Sequence, residues 1–386
     1  MPSRKAGSTT PASDIRTKRE RLAGESFRTA YVGGARSRAI EATPAGADRE
    51  SLRTAYLELL KLCLCDLAGA STLSVTTSTD SHAVGGEVFF RELSDNELEL
   101  RINGIDWPWA GLTMVGMHRL DDLQRCIEAV VSDGVEGDLI EAGAWRGGAS
   151  ILMRATLDSL GAHERTVWVA DSFQGLPAPD VEGFPLDRGL DLSSIDFLAV
   201  PIDEVRACFA RFGYEQGVRF VPGFFDETLP GLRDHRWSVI RLDGDTYEST
   251  WVGLESLYRG LSVGGYVVID DYRLIEECRR AVEDFRRQNG ITEPIEEIDI
   301  SGARWRRERA APSRDTAPPA PAQAMATTSS ARAVERRHPR IPSQRELELE
   351  RELAAAREHP HGPRVALRTL GVRAGRRLRR ALSRRG

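Results

Sequence analysis

Apolar residues show no sustained period over the first fifty positions, which are rich in Ser, Thr, Ala, Gly and Arg and read as a disordered segment. The pattern changes at Thr54–Leu67, where Tyr56, Leu57, Leu60, Leu64 and Leu67 recur at helical spacing and predict an amphipathic helix. Val88–Phe90 and Leu98–Ile102 read as short strands, Trp107-Pro108-Trp109 as an aromatic stretch, and Leu120–Val131 as a helix closing near Asp133-Gly134. From Asp138 onward the pattern is regular. Short apolar, β-branched runs predict strands at Asp138–Ala142, Thr166–Ala170, Val218–Val221, Ser238–Leu242 and Gly265–Ile269. Helical periods fall between and after them at Ala149–Leu160, Ile202–Phe212, Trp251–Leu261 and Leu274–Gln288. Strands alternating with helices, with glycines at the turns, call for an α/β fold: a doubly wound, mostly parallel, Rossmann-like sheet covered on both faces. The helix and strands before it are N-terminal additions.

Composition divides the chain further. Its net charge of −5 hides an asymmetry: residues 1–50 carry +4, residues 51–302 carry −22, and residues 303–386 carry +13 from 21 Arg against eight acids. That describes an acidic body between two basic ends. The domain is placed at residues 51–305, with residues 306–386 as a Pro/Ala linker and an Arg-rich tail that has little to contribute to a sheet. The tail has few aromatics to stack bases, which makes nucleic acid a poor partner. Its last apolar positions, Val365 to Leu382, suit an acidic partner or a membrane surface, although a solvated tail is the default. No apolar run is long enough for a bilayer span, and the N-terminus lacks the apolar region of a secretory signal. The five cysteines form no CxxC pair and read as reduced thiols of a cytoplasmic protein. A homo-oligomer is compatible with all of this.

Two groups of residues carry chemistry. The first is Glu141-Ala142-Gly143-Ala144-Trp145-Arg146-Gly147-Gly148, between a strand and a helix. Its glycines permit a tight turn and close approach of a ligand to backbone amides at the helix start. A plain strand-to-helix connection would explain the turn alone. Asp171 adds a second signal, because an acid at the tip of the next strand is where such sheets hold ribose hydroxyls, so a nucleoside ligand is indicated.

The second group is Asp243-Gly244-Asp245 after one strand and Asp270-Asp271 after the next. Four carboxylates at neighbouring strand ends would share one crevice and repel one another. A hard divalent cation with oxygen ligands, Mg²⁺ above all, relieves that repulsion. The bland alternative is that two are loop residues and one caps a helix.

DLIEAGAWRGGASILMRA, ADSFQGLP, RLDGDTYESTWVGLESLY and GGYVVIDDY, together with TMVGMHRLDDLQRCIEAVVSDGVEGDLIE, resemble the macrocin O-methyltransferase family over roughly residues 53–302. That family methylates sugar hydroxyls in antibiotic biosynthesis. The resemblance implies a class I methyltransferase fold and S-adenosylmethionine bound by the glycine turn (Glu141, Gly143, Trp145, Arg146, Gly147), by Asp171, Ser172 and Phe173, and by Asp243, with Thr113 and Met114 nearby. It further implies Mg²⁺ on Asp243, Asp270 and Asp271, with Asp245 as general base, and a glycosylated small molecule as acceptor. Two other readings remain open: a catechol-type methyltransferase acting on a phenolic hydroxyl, and a nucleoside-binding scaffold without catalysis. The four aspartates argue against the scaffold, since a pure binder needs no general base.

His118, Trp107 and Trp109 read chiefly as surface, capping or core residues. Glu182–Phe197 is too long for a turn and is expected to be a lid over the acceptor.

Overall fold

The computed structural model describes residues 48–68, 73–77, 88–93 and 98–309. The expectations for the N-terminal segment, for the linker and for the Arg-rich tail fall outside the described residues. Helix α1 (Arg49–Leu64) starts five residues before the predicted helix, because the Asp48 carboxylate accepts the Ser51 N–H at 2.8 Å and caps it. It therefore crosses the boundary drawn at residue 50. Leu57, Leu60 and Leu64 face inward.

Strands β1 (Leu73–Thr77), β2 (Val88–Glu92) and β3 (Trp107–Pro108) form a small antiparallel sheet in the order β2-β1-β3. The Ser- and Thr-rich β1 had no strand signal in the sequence. Leu98–Ile102, expected as a strand, is instead a short helix, α2. Its alternation of apolar and charged residues is misleading, because Arg101 points inward. That side chain donates to Asp106 at 2.7 Å, to the Asp66 carbonyl at 3.0 Å and to the Leu73 carbonyl at 2.8 Å, and it ties the helix to both neighbours.

The main sheet follows α3 (Gly116–Ser132). Its parts in chain order are β4 (Asp138–Ala142), α4 (Gly148–Ser159), β5 (Val167–Asp171), α5 (Ile202–Arg211), β6 (Val218–Pro222), α6 (Phe225–Thr228) and β7 (Trp237–Leu242). Then come α7 (Tyr247–Leu257), β8 (Leu261–Ile269), α8 (Glu276–Gln288), β9 (Glu296–Glu297) and β10 (Ala303–Arg306). The strand order is β6-β5-β4-β7-β8-β10-β9, with β10 antiparallel to β8 and to β9. Each predicted core strand is present, within a few residues at its ends. Strand β10 runs past the domain boundary set at residue 305, and the buried Arg307 extends the ordered body further.

Alternation along each strand builds two cores, one per face. Leu139, Val167, Val169 and Val239 pack with α1, α3, α4 and α5. Ile140, Ala142, Ala170, Ile240 and Leu242 pack with α7 and α8. The strand order reverses between β4 and β7, which is where such sheets open a crevice at their carboxyl ends.

Candidate active site

A cavity opens at that reversal, and the ends of β4, β5, β7 and β8 all contribute to it. Three of these ends are followed by a non-glycine residue in left-handed backbone: Trp145 (φ 49°), Phe173 (φ 55°) and Asp245 (φ 59°). Each such residue costs on the order of 1 kcal/mol or more, so the concentration of strain marks the rim of this crevice.

The glycine turn is built for backbone proximity. Gly143 has φ +92°, and a Cβ placed on it would stand 1.8 Å from the Asp243 carbonyl oxygen. Asp171 reaches across from β5, and its Oδ2 accepts the N–H groups of Ala144 (2.8 Å) and Trp145 (3.1 Å), while Oδ1 accepts that of Phe173 (2.7 Å). Burial raises the Asp171 pKa against the pull of these three donors. The carboxylate expected to meet a ribose thus also organises the turn that would hold the rest of the nucleoside. Arg146 pins the turn from behind, donating to the carbonyls of Trp109 (2.7 Å) and Gly111 (2.9 Å) with its guanidinium 4.2 Å from the centre of the Trp145 ring.

The second group divides unexpectedly. Asp243, Asp245 and Asp271 each bring a carboxylate oxygen within 4.8 Å of the others. Asp270, expected as a metal ligand, places one oxygen on Arg119 and the other on Arg241. In this arrangement Asp270 compensates two buried guanidiniums while it also lines the cavity. Arg241 also donates to Glu141 (2.5 Å) and Asp243 (3.1 Å), and Arg119 to Asp299 (3.1 Å). A continuous buried ion network therefore runs under the site. Burial and the neighbouring Asp270 push the Asp243 carboxyl well above its ordinary pKa, against the pull of Arg241. Carboxylate oxygens so clustered are donors that suit a hard divalent cation, and one of the three can take a proton from a bound hydroxyl instead.

Of the residues expected to bind the cofactor, Met114, Gly143, Trp145, Asp171, Ser172 and Asp243 line the cavity, as do Asp245, Asp270 and Asp271. Five do not. Glu141, on β4, is buried between Arg241 and the Ser150 hydroxyl and belongs to the ion network. Thr113 is buried, its hydroxyl accepting the Val115 N–H at 3.3 Å. Arg146 serves the turn, Gly147 (φ +82°) turns into α4 where a Cβ would meet the Phe209 ring at 2.6 Å, and Phe173 packs on Phe220.

Arg119, Glu248 and Asp226 line the cavity without having been singled out in the sequence. Glu248 alone had a local signal, its place just after Asp245. Trp107, half-buried, lines the cavity and stacks on Phe197 at 5.9 Å. From the segment expected as a lid, Leu192 and Ile195 line the cavity, and Asp187 accepts the N–H groups of Tyr247 (2.7 Å) and Glu248 (3.0 Å) at the start of α7.

Residues 54–307 match the family described as Macrocin-O-methyltransferase (TylF). The chain is 46% identical over 259 residues to the 8-demethyl-8-(2,3-dimethoxy-alpha-L-rhamnosyl)-tetracenomycin-C 4'-O-methyltransferase of Streptomyces olivaceus, covering 67% of this chain and 94% of that protein. It is 45% identical over 213 residues to the demethyldecarbamoylnovobiocin O-methyltransferase of Streptomyces niveus, covering 55% and 81% respectively. Among solved structures, that of the O-methyltransferase NovP superposes with a TM-score of 0.59 at 38% identity, covering 67% of this chain and all of that one.

Proposed function

The chain belongs to the macrocin O-methyltransferase family and is an O-methyltransferase, and on that premise we propose that it methylates a hydroxyl of a sugar carried on a natural product, in antibiotic biosynthesis. The methyl donor is S-adenosylmethionine. The observation that carries the reading is that the glycine turn with Asp171 and the cluster Asp243, Asp245 and Asp271 open onto one cavity.

In this reading Gly143, Trp145, Asp171 and Ser172 hold the nucleoside of the donor. Asp243 and Asp271 would hold Mg²⁺, while Asp270, compensated by Arg119 and Arg241, braces Asp243 through the shared Arg241. A divalent cation bound there supplies orientation of the acceptor hydroxyl and favours its alkoxide form. Asp245 takes the hydroxyl proton, the oxygen forms its bond to the methyl carbon, and the carbon–sulfur bond breaks to leave S-adenosylhomocysteine. Most of the remaining rate comes from holding the two reactants in line.

The five cysteines make no disulfide, which supports a cytoplasmic location, and among the described residues no helix is long and apolar enough to cross a membrane. Exposed Leu52, Tyr56 and Leu59 on α1 support a homo-oligomer, and a monomer at every concentration in sedimentation would remove that part. The function itself is tested by methyl transfer to glycosylated and phenolic acceptors, with and without Mg²⁺. Turnover of phenols alone would replace the sugar reading by a catechol-type one, and activity untouched by chelator would remove the metal.

A further inference from the structure

We propose that Glu248 is a specificity-determining residue of the acceptor site, binding a hydroxyl of the acceptor sugar beside the one that is methylated. The inference rests on the sugar-methylation reading above. Glu248, Ser249 and Val252 of α7 all line the cavity, with Val252 four residues after Glu248 and three after Ser249, the spacing of one helix face. They continue the wall that Asp245 begins. Phe224, Phe225 and Asp226 stand among the other lining residues. An acceptor whose reacting hydroxyl meets Asp245 therefore runs next along Glu248, within one helical turn. The glycine turn and Asp171 belong to β4 and β5, whereas α7 follows β7 on the far side of β4, so Glu248 falls on the acceptor side.

Glu248 does not behave as a structural acid. Among the described residues no Lys, Arg or His forms an ion pair with it, and the carboxyls of Asp226 on α6 and of Asp180 and Asp187, between β5 and α5, act on it. Burial first, and then these carboxyls, push it up to about 7. An acid kept half-buried without a cation costs stability, and such groups are retained where a ligand uses them. Near neutral pH Glu248 can accept one hydroxyl hydrogen bond and, when protonated, donate another. A sugar carrying vicinal hydroxyls answers both.

The test uses the full chain, with the glycosides after which its tetracenomycin and novobiocin relatives are named as acceptors. Glu248→Ala should raise the acceptor KM about tenfold, the scale of a lost hydrogen bond, with kcat within about threefold. Its S-adenosylhomocysteine affinity should match wild type, and its thermal midpoint should equal or exceed it, since an uncompensated half-buried acid is removed. Glu248→Gln should keep the wild-type KM at pH 6 and lack the change in KM that wild type shows across pH 7. An unaltered KM in Glu248→Ala, a parallel loss of cofactor affinity and midpoint, or a Gln variant with the wild-type pH dependence overturns the inference alone. A wild-type chain inactive on both glycosides overturns the sugar reading, and the inference with it.

Discussion

Gly143 and Asp243 meet backbone to backbone at the reversal of the sheet: the space for a Cβ on Gly143 is filled by the Asp243 carbonyl, and the Asp243 N–H bonds to the Ala142 carbonyl at 2.8 Å. The turn that faces the donor and the loop that carries the acids are thereby one mechanical unit. Gly143→Ala must either push β7 away or leave left-handed backbone, and either displaces both halves of the site. We expect a lower thermal midpoint and at least a tenfold loss of S-adenosylhomocysteine affinity, the scale of one misplaced hydrogen-bonding group. Calorimetry showing unchanged affinity would remove the turn from the cofactor site.

Asp171 is the single acceptor for three turn amides, so its removal should be felt without ligand. Asp171→Ala leaves the N–H groups of Ala144, Trp145 and Phe173 without this partner, at a cost of about 1–3 kcal/mol in stability. The affinity for S-adenosylhomocysteine should fall by a similar amount, about 1–3 kcal/mol. Denaturant unfolding and calorimetry on the same variant separate the two effects. A stable variant with wild-type affinity contradicts both.

The parallel strands were legible because burial on both faces demands runs such as VWVAD and WSVIRL, which little else in the chain resembles. The sheet edge was not. ARWR of β10 was not read as a strand, because its arginines resemble the Arg-rich tail that follows, although Ala303 and Trp305 alternate inward between the arginines. Helix α2 escaped because its inward residue is a charge, and the partners that make this tolerable, Asp66, Leu73 and Asp106, come from other elements. The same limit hid Arg119 and Arg241. Arg119 meets Asp270 across 151 positions and Arg241 meets Glu141 across 100, so no local spacing reveals that these acids have cationic partners. The four aspartates were visible; their division was not.

That division has a measurable consequence. Asp243→Asn and Asp271→Asn should raise the Mg²⁺ concentration needed for activity and weaken Mn²⁺ binding. Asp245→Asn should lower kcat by roughly 10²–10⁴ with little change in Mn²⁺ affinity. Asp270→Asn should act chiefly on stability, since it weakens the compensation of two buried guanidiniums, and Arg241→Met should act more strongly still. The latter leaves Glu141 with only the Ser150 hydroxyl and Asp270 with Arg119 alone, a loss of about 3–5 kcal/mol by the usual cost of breaking buried pairs. Direct Mn²⁺ binding alongside urea unfolding decides the matter. If Asp270→Asn loses metal as sharply as Asp243→Asn while keeping its stability, Asp270 is a ligand and the assignment fails.

The boundary of the catalytic body gives the last prediction. Strand β10 pairs with β8 from Ala303 opposite Ile269 to Arg306 opposite Tyr266, along the strand that delivers Asp270 and Asp271. The Ser301 hydroxyl donates to the Asp270 carbonyl at 2.8 Å, and Trp305 is fully buried against Tyr258 and Arg286. Arg307 closes the edge: its N–H donates to the Gly265 carbonyl at 2.8 Å, its carbonyl accepts the Gly264 N–H at 2.7 Å, and its guanidinium reaches the carbonyls of Tyr258 and Leu261. A chain ending after Arg309 keeps all of these contacts and should fold, bind S-adenosylhomocysteine and transfer methyl groups as the full chain does. A chain ending after Gly302 keeps the Ser301 bond but loses the β10 pairing, Trp305 and Arg307 together. Removing Trp305 alone is worth about 3–5 kcal/mol by the cost of truncating a buried Trp, and the exposed edge of β8 adds a surface for aggregation. It should therefore be insoluble or unfold well below the longer chain. The comparison is made by expressing both and recording yield, thermal midpoint and turnover. Equal stability of the two would show that β10 is dispensable, while failure of the chain ending at Arg309 would place part of the catalytic body beyond that residue.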